Sequence, residues 1–344
     1  MKVSIIVPVF NMASDGKLSF CLDSLINQTI DDYEIIAVDD CSTDNSMDIL
    51  RQYEEKYPDK FHAIHSEVNH HQGGAKNIAL HAAKGEWISF IDADDWIVPD
   101  YYEQMLEVAN RTGADMVGCD YCEVSEHTFT PGHQVANSRP EQTGVLGATQ
   151  KRSMIIDGGS LCTKIYKRER IIKNSLFFPE DIFYEDNAVG NSYLIMAQHY
   201  EYIAKPLYYY YQHNSSTVHT FSVTRCLDRM AAGRMIVEEA KRHGYYDEFK
   251  PELEFSFTQL FYVNTLFTYM PCVRPTNPKF VRDITKEMLT FFPDFRENEY
   301  YINRVGAEEK KLINMACASP LRFYIYYKLL WAYRNLRRAI SGKH

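Results

Sequence analysis

The chain has 344 residues and a formal net charge of −9, which argues against a general nucleic-acid binder, since such proteins concentrate positive charge against phosphate. Its length accommodates one large domain and a smaller addition, and the eight cysteines are scattered without a disulfide framework. No stretch of about 18 or more uninterrupted apolar residues is present to span a bilayer, and the amino terminus enters a strand at once with no signal-peptide pattern, so a cytoplasmic location is expected. Residues 2–7 are apolar and predict a first strand ending in Pro8-Val9-Phe10-Asn11. Leu18, Cys21, Leu22 and Leu25 then recur at helical spacing. A second strand, 34–38, stops at Asp39-Asp40-Cys41-Ser42-Thr43-Asp44, after which Asp44 or Ser46 can cap a helix carrying Met47 and Leu50. Residues 61–65 predict a third, weaker strand, and residues 73–83 a helix with Ile78, Ala79 and Ala82 on one side.

The fourth strand is the run Trp87-Ile88-Ser89-Phe90-Ile91, which stops abruptly in Asp92-Ala93-Asp94-Asp95. An uninterrupted apolar run is the pattern of a strand buried on both faces. Strands alternating with helices predict a parallel sheet with right-handed crossovers and a ligand site along its carboxyl edge, where all four polar strand ends fall. Three carboxylates in four positions repel one another unless a cation neutralises them, and a hard divalent ion with oxygen ligands suits that role. The same residues would also serve as a solvated turn before the helix that begins near Pro99.

Taken in order and spacing, Pro8-Val9-Phe10-Asn11, Val38-Asp39-Asp40-Cys41-Ser42-Thr43-Asp44, Gly73-Gly74-Ala75-Lys76-Asn77 and Phe90-Ile91-Asp92-Ala93-Asp94-Asp95 resemble the family 2 glycosyltransferases of the GT-A fold. The resemblance covers about the first third of the chain. It implies an α/β, Rossmann-like, mainly parallel sheet flanked by helices, a nucleotide-diphosphate sugar donor (UDP-sugar being favoured), Mn2+ or Mg2+, and inversion at the anomeric carbon. It places Pro8, Val9, Phe10, Asn11 and Asp39 at the nucleotide base, Asp92 near the ribose with Ala93 among the donor-binding residues, and Asp94 on the metal that bridges the diphosphate, with Asp95 close by. Lys76 stands where the family usually has arginine, so its expected diphosphate contact is a point charge in place of a bidentate fork.

Cys119 and Cys122 have metal-pair spacing but lack a second pair and lie in a predicted strand, 115–124, so they read as core. Gly73-Gly74 lacks the full dinucleotide-binding pattern, and Val68-Asn69-His70-His71-Gln72 reads as a donor-site wall or a solvated loop. Residues 126–147 read as a long polar loop, a lid or acceptor-facing insertion. Phe183-Tyr184-Glu185-Asp186-Asn187 places two carboxylates in an aromatic setting that would raise a pKa. It matches the family's Glu-Asp motif, so Asp186 is the expected general base and Glu185 an acceptor or orienting contact, although carboxylates also suit the start of a helix over 187–196. After the aromatic strand Leu207-Tyr208-Tyr209-Tyr210-Tyr211, His213 is a candidate metal or diphosphate contact with His219 behind it, and the tyrosines could stack on an acceptor sugar.

From Arg225 onward helical spacing predicts an extension, broken by Pro271, Pro275 and Pro278. In the last segment Tyr326, Leu329, Tyr333, Leu336 and Ile340 form a stripe flanked by Lys328, Arg334, Arg337 and Arg338, with Trp331 nearby, suited to an anionic membrane surface or to packing on the domain or a second subunit. The expected organisation is a catalytic domain over 1–220, with a nucleotide-sugar half (1–125) and an acceptor half (126–220), and a helical extension over 221–344. The expected activity is glycosyl transfer to a glycan or lipid-linked acceptor of a cell-surface polysaccharide, by an enzyme that is cytoplasmic or peripheral on the inner membrane face and could form a homodimer. The alternatives are a sugar-nucleotide nucleotidyltransferase and a non-catalytic carbohydrate-binding protein with the same fold.

Overall fold

The computed structural model describes residues 1–212 and 221–341. The chain divides into two compact units, Met1–Ser216 and Thr217–His344.

The first unit opens with β1 (Val3–Val9), α1 (Lys17–Ile26), β2 (Tyr33–Asp39), α2 (Ser46–Lys56), β3 (Phe61–His65), α3 (His71–Ala82) and β4 (Trp87–Phe90). These four strands pair in parallel in the order β3-β2-β1-β4. β1, β2 and β4 are buried along their whole length, as their apolar runs require. In register, Val9 lies beside Asp39 and Asp39 beside His65, so three strands end at one level on the carboxyl edge.

The sheet continues through β5 (Trp96–Ile97), α4 (Tyr101–Thr112), β6 (Met116–Val124), β7 (His133–Val135), β8 (Gly144–Val145), α5 (Ala148–Asp157), β9 (Lys164–Lys167), α6 (Arg168–Lys173), α7 (Glu185–Met196) and β10 (His199–Tyr211). The full order is β3-β2-β1-β4-β9-β6-β10-β5, with β7 on β6 and β8 on β10. The sheet is therefore mixed: β9 runs antiparallel to both β4 and β6, and β5, β7 and β8 also pair antiparallel, while β6 and β10 are parallel. The 126–147 stretch, expected as loop, carries β7, a 3₁₀ turn (Pro140–Gln142) and β8. Short strands of two or three residues cannot be read from a Gly- and Thr-rich segment, because the pairing that defines them lies on distant strands. Cys119 and Cys122 are buried, as expected for core residues on β6.

The second unit is helical: α8 (Val223–Arg242), α9 (Lys250–Phe257), a π-helical turn (Thr258–Asn264), α10 (Thr265–Cys272), α11 (Pro278–Phe291), α12 (Glu299–Arg304), α13 (Ala307–Ala318) and α14 (Pro320–Ser341). Its core gathers Leu253, Phe257, Phe261, Tyr262, Leu266, Val281, Ile284, Met288, Phe295 and Ile313. Pro271 lies in the last turn of α10 and Pro278 opens α11, where its missing N–H costs nothing. α14 packs on α10, α11 and α13 through Phe323 and Tyr327. Its opposite ridge, Leu321, Ile325, Leu329, Tyr333 and Leu336, is exposed at 51–66%.

Candidate active site

The loops after β1 and β2 are tied together before any ligand is considered. Asn11, in the left-handed region at φ 53, donates its N–H to Ser42 Oγ (2.9 Å), and its Oδ1 accepts from Thr43 N–H (2.8 Å). Met12 N–H donates to Ser46 Oγ and Ala13 N–H to Asp44 Oδ2. Phe10 is left exposed at the rim.

Asp39 is fully buried at the end of β2. Its Oδ2 meets His65 Nδ1 at 2.8 Å and accepts from Ser42 N–H at 3.3 Å, while Oδ1 has no partner among the described residues. A buried carboxylate oxygen without a donor is costly, and one at the carboxyl edge of a parallel sheet, where ligands bind in this class of fold, can accept from a ligand's N–H or O–H. The neighbouring loop is structural as well: His70 N–H and Asn69 Nδ2 donate to Asp40, whose burial raises its carboxyl pKa.

The three carboxylates after β4 have different surroundings. Asp95 is buried, with Oδ2 accepting from Tyr208 O–H (2.6 Å) and Oδ1 from Tyr211 N–H (2.8 Å), so both oxygens tether the turn to β10. Asp92 is half-buried and takes a 3.5 Å contact from the Cys162 thiol on Oδ2. Asp94 and Ala93 lie between them, Ala93 buried and Asp94 half-exposed. Burial first, and then the charge of Asp94, raise the pKa of both Asp92 and Asp95, while Lys76 partly relieves Asp92. This local excess of negative charge suits a divalent cation. Among the described residues no set of three or more His, Cys, Asp or Glu side chains encloses a metal. A metal here would take one hard oxygen ligand from Asp94 and the remainder from a diphosphate. His213 and His219 lie outside the described residues.

α7 begins after Tyr184, held at φ 68, so that Glu185 and Asp186 occupy its first turn. Successive helical residues differ by about 100°, and the two carboxylates diverge accordingly: Glu185 is buried and pairs with Lys76 Nζ at 2.7 Å, while Asp186 is exposed. Burial alone would lower the Lys76 pKa, but Glu185, with Cys162, Asp92 and Asp186, raises it. Desolvation by the protein around it, and the charge of Glu185, push the Asp186 carboxyl up to about 6, against the opposing effects of Lys76 and Asn187 N–H. Asp186, Glu185, Lys76, Asp92 and Cys162 thus lie within one electrostatic neighbourhood.

Sequence reading missed Tyr208 as the anchor of the acidic turn and Cys162 as the neighbour of Asp92. Their types carry no signal of those contacts, although Tyr208 lies in the strand singled out for stacking on sugars. There Leu207, Tyr208 and Tyr209 are buried, and Tyr210 and Tyr211 are half-buried.

A parallel half-sheet with an acidic carboxyl edge, continued by a mixed half that delivers a helix-borne carboxylate, is the GT-A architecture. S. aureus TarS crystallised with UDP-GlcNAc shares the fold, with a TM-score of 0.67 and 23% identity over 97% of this chain and 92% of that one. Glycosyl transferase family 2 matches residues 4–170. The putative glycosyltransferase EpsH of Bacillus subtilis (strain 168) is 34% identical over 259 residues, 73% of this chain and 73% of that protein. Poly(ribitol-phosphate) beta-N-acetylglucosaminyltransferase TarS of Staphylococcus aureus (strain Mu50) is 29% identical over 216 residues, 61% of this chain and 35% of that one. The chain belongs to glycosyl transferase family 2 and is a glycosyltransferase. That membership sets aside the nucleotidyltransferase and non-catalytic readings.

Proposed function

We propose that this enzyme moves a sugar, with inversion, from a UDP-sugar to a glycan or lipid-linked acceptor in cell-surface polysaccharide synthesis. The observation that carries the donor side is Asp39: with Oδ2 engaged by His65 and Ser42, one buried oxygen is left to accept. Uracil, like thymine, presents a single N–H between two carbonyls and suits one acceptor, whereas guanine presents two parallel N–H donors and would need both oxygens, so Asp39 favours a UDP- or dTDP-sugar over a GDP-sugar, and the choice of UDP rests on the resemblance to the family. Pro8, Val9, Phe10 and Asn11 then flank the base, and Asp92 and Ala93 face the ribose. The relatives named for poly(ribitol-phosphate) transfer support a surface-polymer acceptor.

On the acceptor side, Asp186 accepts the proton of the attacking hydroxyl while the sugar–diphosphate bond breaks. An exposed carboxylate with a pKa of about 6 is ionised near neutral pH yet basic enough to take that proton. Mn2+ or Mg2+, held by Asp94, would offset the negative charge that develops on the leaving diphosphate. His213 is kept as a further ligand in this reading.

The same reading places α14 on the anionic inner face of the membrane. No helix among the described residues is long and apolar enough to cross one. Residues 320–344 carry Arg322, Lys328, Arg334, Arg337, Arg338 and Lys343 and no acidic residue, in a chain of net charge −9, and the exposed ridge of α14 supplies apolar contact. A homodimer through that ridge is the competing use.

Hydrolysis and transfer from a panel of UDP-, GDP- and dTDP-sugars, with manganese present and then chelated, tests the function. Metal-dependent release of UDP is expected, and release of GDP or dTDP in its place would overturn the donor assignment.

A further inference from the structure

The turn Gly73-Gly74-Ala75-Lys76-Asn77 stands, by resemblance, where a diphosphate contact is expected, yet its polar atoms are engaged elsewhere. Lys76 is 4% exposed and Glu185 6%, and their 2.7 Å pair joins α3 to the first residue of α7. The Phe178 ring lies 5.2 Å from Lys76 Nζ. Asn77 satisfies both backbone groups of Phe178: its Nδ2 donates to Phe178 O (2.9 Å), its Oδ1 accepts from Phe178 N–H (2.9 Å), and Nδ2 also reaches Glu180 Oε1 (3.0 Å). A Cβ on Gly73 would overlap the carbonyl oxygen of Pro179, so glycine is required for this close approach. Asp181 N–H donates to His70 O at 3.1 Å, and Asp181 Oδ1 meets His70 Nδ1 at 3.1 Å.

These contacts grip residues 178–181 and Glu185, and Asp186 follows directly. A cation buried against a buried carboxylate cannot turn to a diphosphate without leaving that carboxylate uncompensated. We propose that Lys76 and Asn77 are positioning residues for Asp186, clasping the segment that presents it, and that Lys76 makes no contact with the donor's diphosphate. The proposal rests on the reading of Asp186 as the base. The charged and titratable groups around Asp186 are Glu185, Lys76, Asp92 and Cys162. Glu185 and Asp92 favour its protonated form and Lys76 its ionised form, so the clasp also bears on the pH at which the base works.

The test uses the full chain with Lys76→Arg, Asn77→Ala and the double variant Lys76→Met/Glu185→Gln, which leaves no lone buried charge. Three readouts are taken: calorimetric affinity for UDP with manganese, amide hydrogen exchange over residues 177–186, and kcat against pH with the donor found by the sugar panel. The double variant is expected to bind UDP within about twofold of the parent, to exchange at least about tenfold faster across 177–186, and to lose about tenfold or more in kcat with a displaced acid limb. Lys76→Arg, which can keep the ion pair, is expected to restore all three. A loss of UDP affinity of about tenfold or more in the double variant, or unaltered exchange, would overturn the clasp. Asp186→Asn run alongside isolates the other premise: turnover at the parental level would overturn the base reading, while UDP affinity and exchange still judge the clasp.

Discussion

Replacing Asp186 by Asn removes one proton-accepting oxygen while keeping shape. Losing a positioned general base costs about 10²–10⁴ in rate, or roughly 3–5 kcal/mol of transition-state stabilisation. The structure adds a pH signature. As the proposed base, Asp186 must be ionised to act, and desolvation with the Glu185 charge raises its pKa to about 6, so activity is expected to fall as pH drops through that value. At pH 5 about one enzyme in ten would hold an ionised Asp186, a tenfold loss of kcat/KM, whereas an ordinary aspartate at about 3.9 would still be more than nine-tenths ionised. The stability sign is the opposite. A carboxyl whose folded pKa is raised binds its proton more tightly folded than unfolded, so its ionisation weakens folding as pH rises between the two values. Asp186→Asn is therefore expected not to lower the thermal midpoint at pH 7, which separates a catalytic loss from a folding defect. The assay is steady-state kcat/KM, which reports the free enzyme's ionisation, from pH 4.5 to 8. A flat profile down to pH 5, or an Asn variant within a few-fold of the parent, would rule Asp186 out as the base.

Asp39→Asn keeps shape but gives up the charge on the lone buried acceptor, and loss of a charge-assisted hydrogen bond of about 1.5–3 kcal/mol is expected to weaken UDP by about 10- to 100-fold in calorimetry. Tyr208→Phe strips a donor from buried Asp95 Oδ2 and is expected to destabilise the first unit by about 1–3 kcal/mol, read as a lower denaturant midpoint. Ile325→Asp with Leu329→Asp places charge on side chains that are 51% and 66% exposed. Folding should be unaffected, while co-sedimentation with phosphatidylglycerol vesicles should fall and the parent's binding should weaken with salt. Unchanged vesicle binding, or a dimer that the pair of substitutions splits, would transfer the ridge to self-association.

The order of strands and helices in the parallel half was legible because each signal is local. Buried parallel strands such as Val3–Val9 and Trp87–Phe90 show as apolar runs, α1 as three-four spacing, and the carboxyl-edge rule then brings Asp39 and Asp94 to one side. The mixed half was less legible: β5, β7 and β8 are two or three residues long and owe their existence to partners elsewhere in the chain. For α14 the sequence showed an apolar, basic stripe but not its division. Phe323 and Tyr327 are covered by the neighbouring helices of the same unit, while Leu321, Ile325 and Leu329 face solvent, because only those helices decide which side is covered.

That β4 runs into three carboxylates and α7 opens on two was plain from contiguous residues alone. Which carboxylate does what was decided by tertiary structure. Asp95 is tied by Tyr208, 113 residues away, Asp92 meets Cys162 across 70 residues, and Glu185 is held by Lys76 across 109. Burial and a partner's charge set the protonation and reach of each group, and both depend on which distant segments the fold brings together.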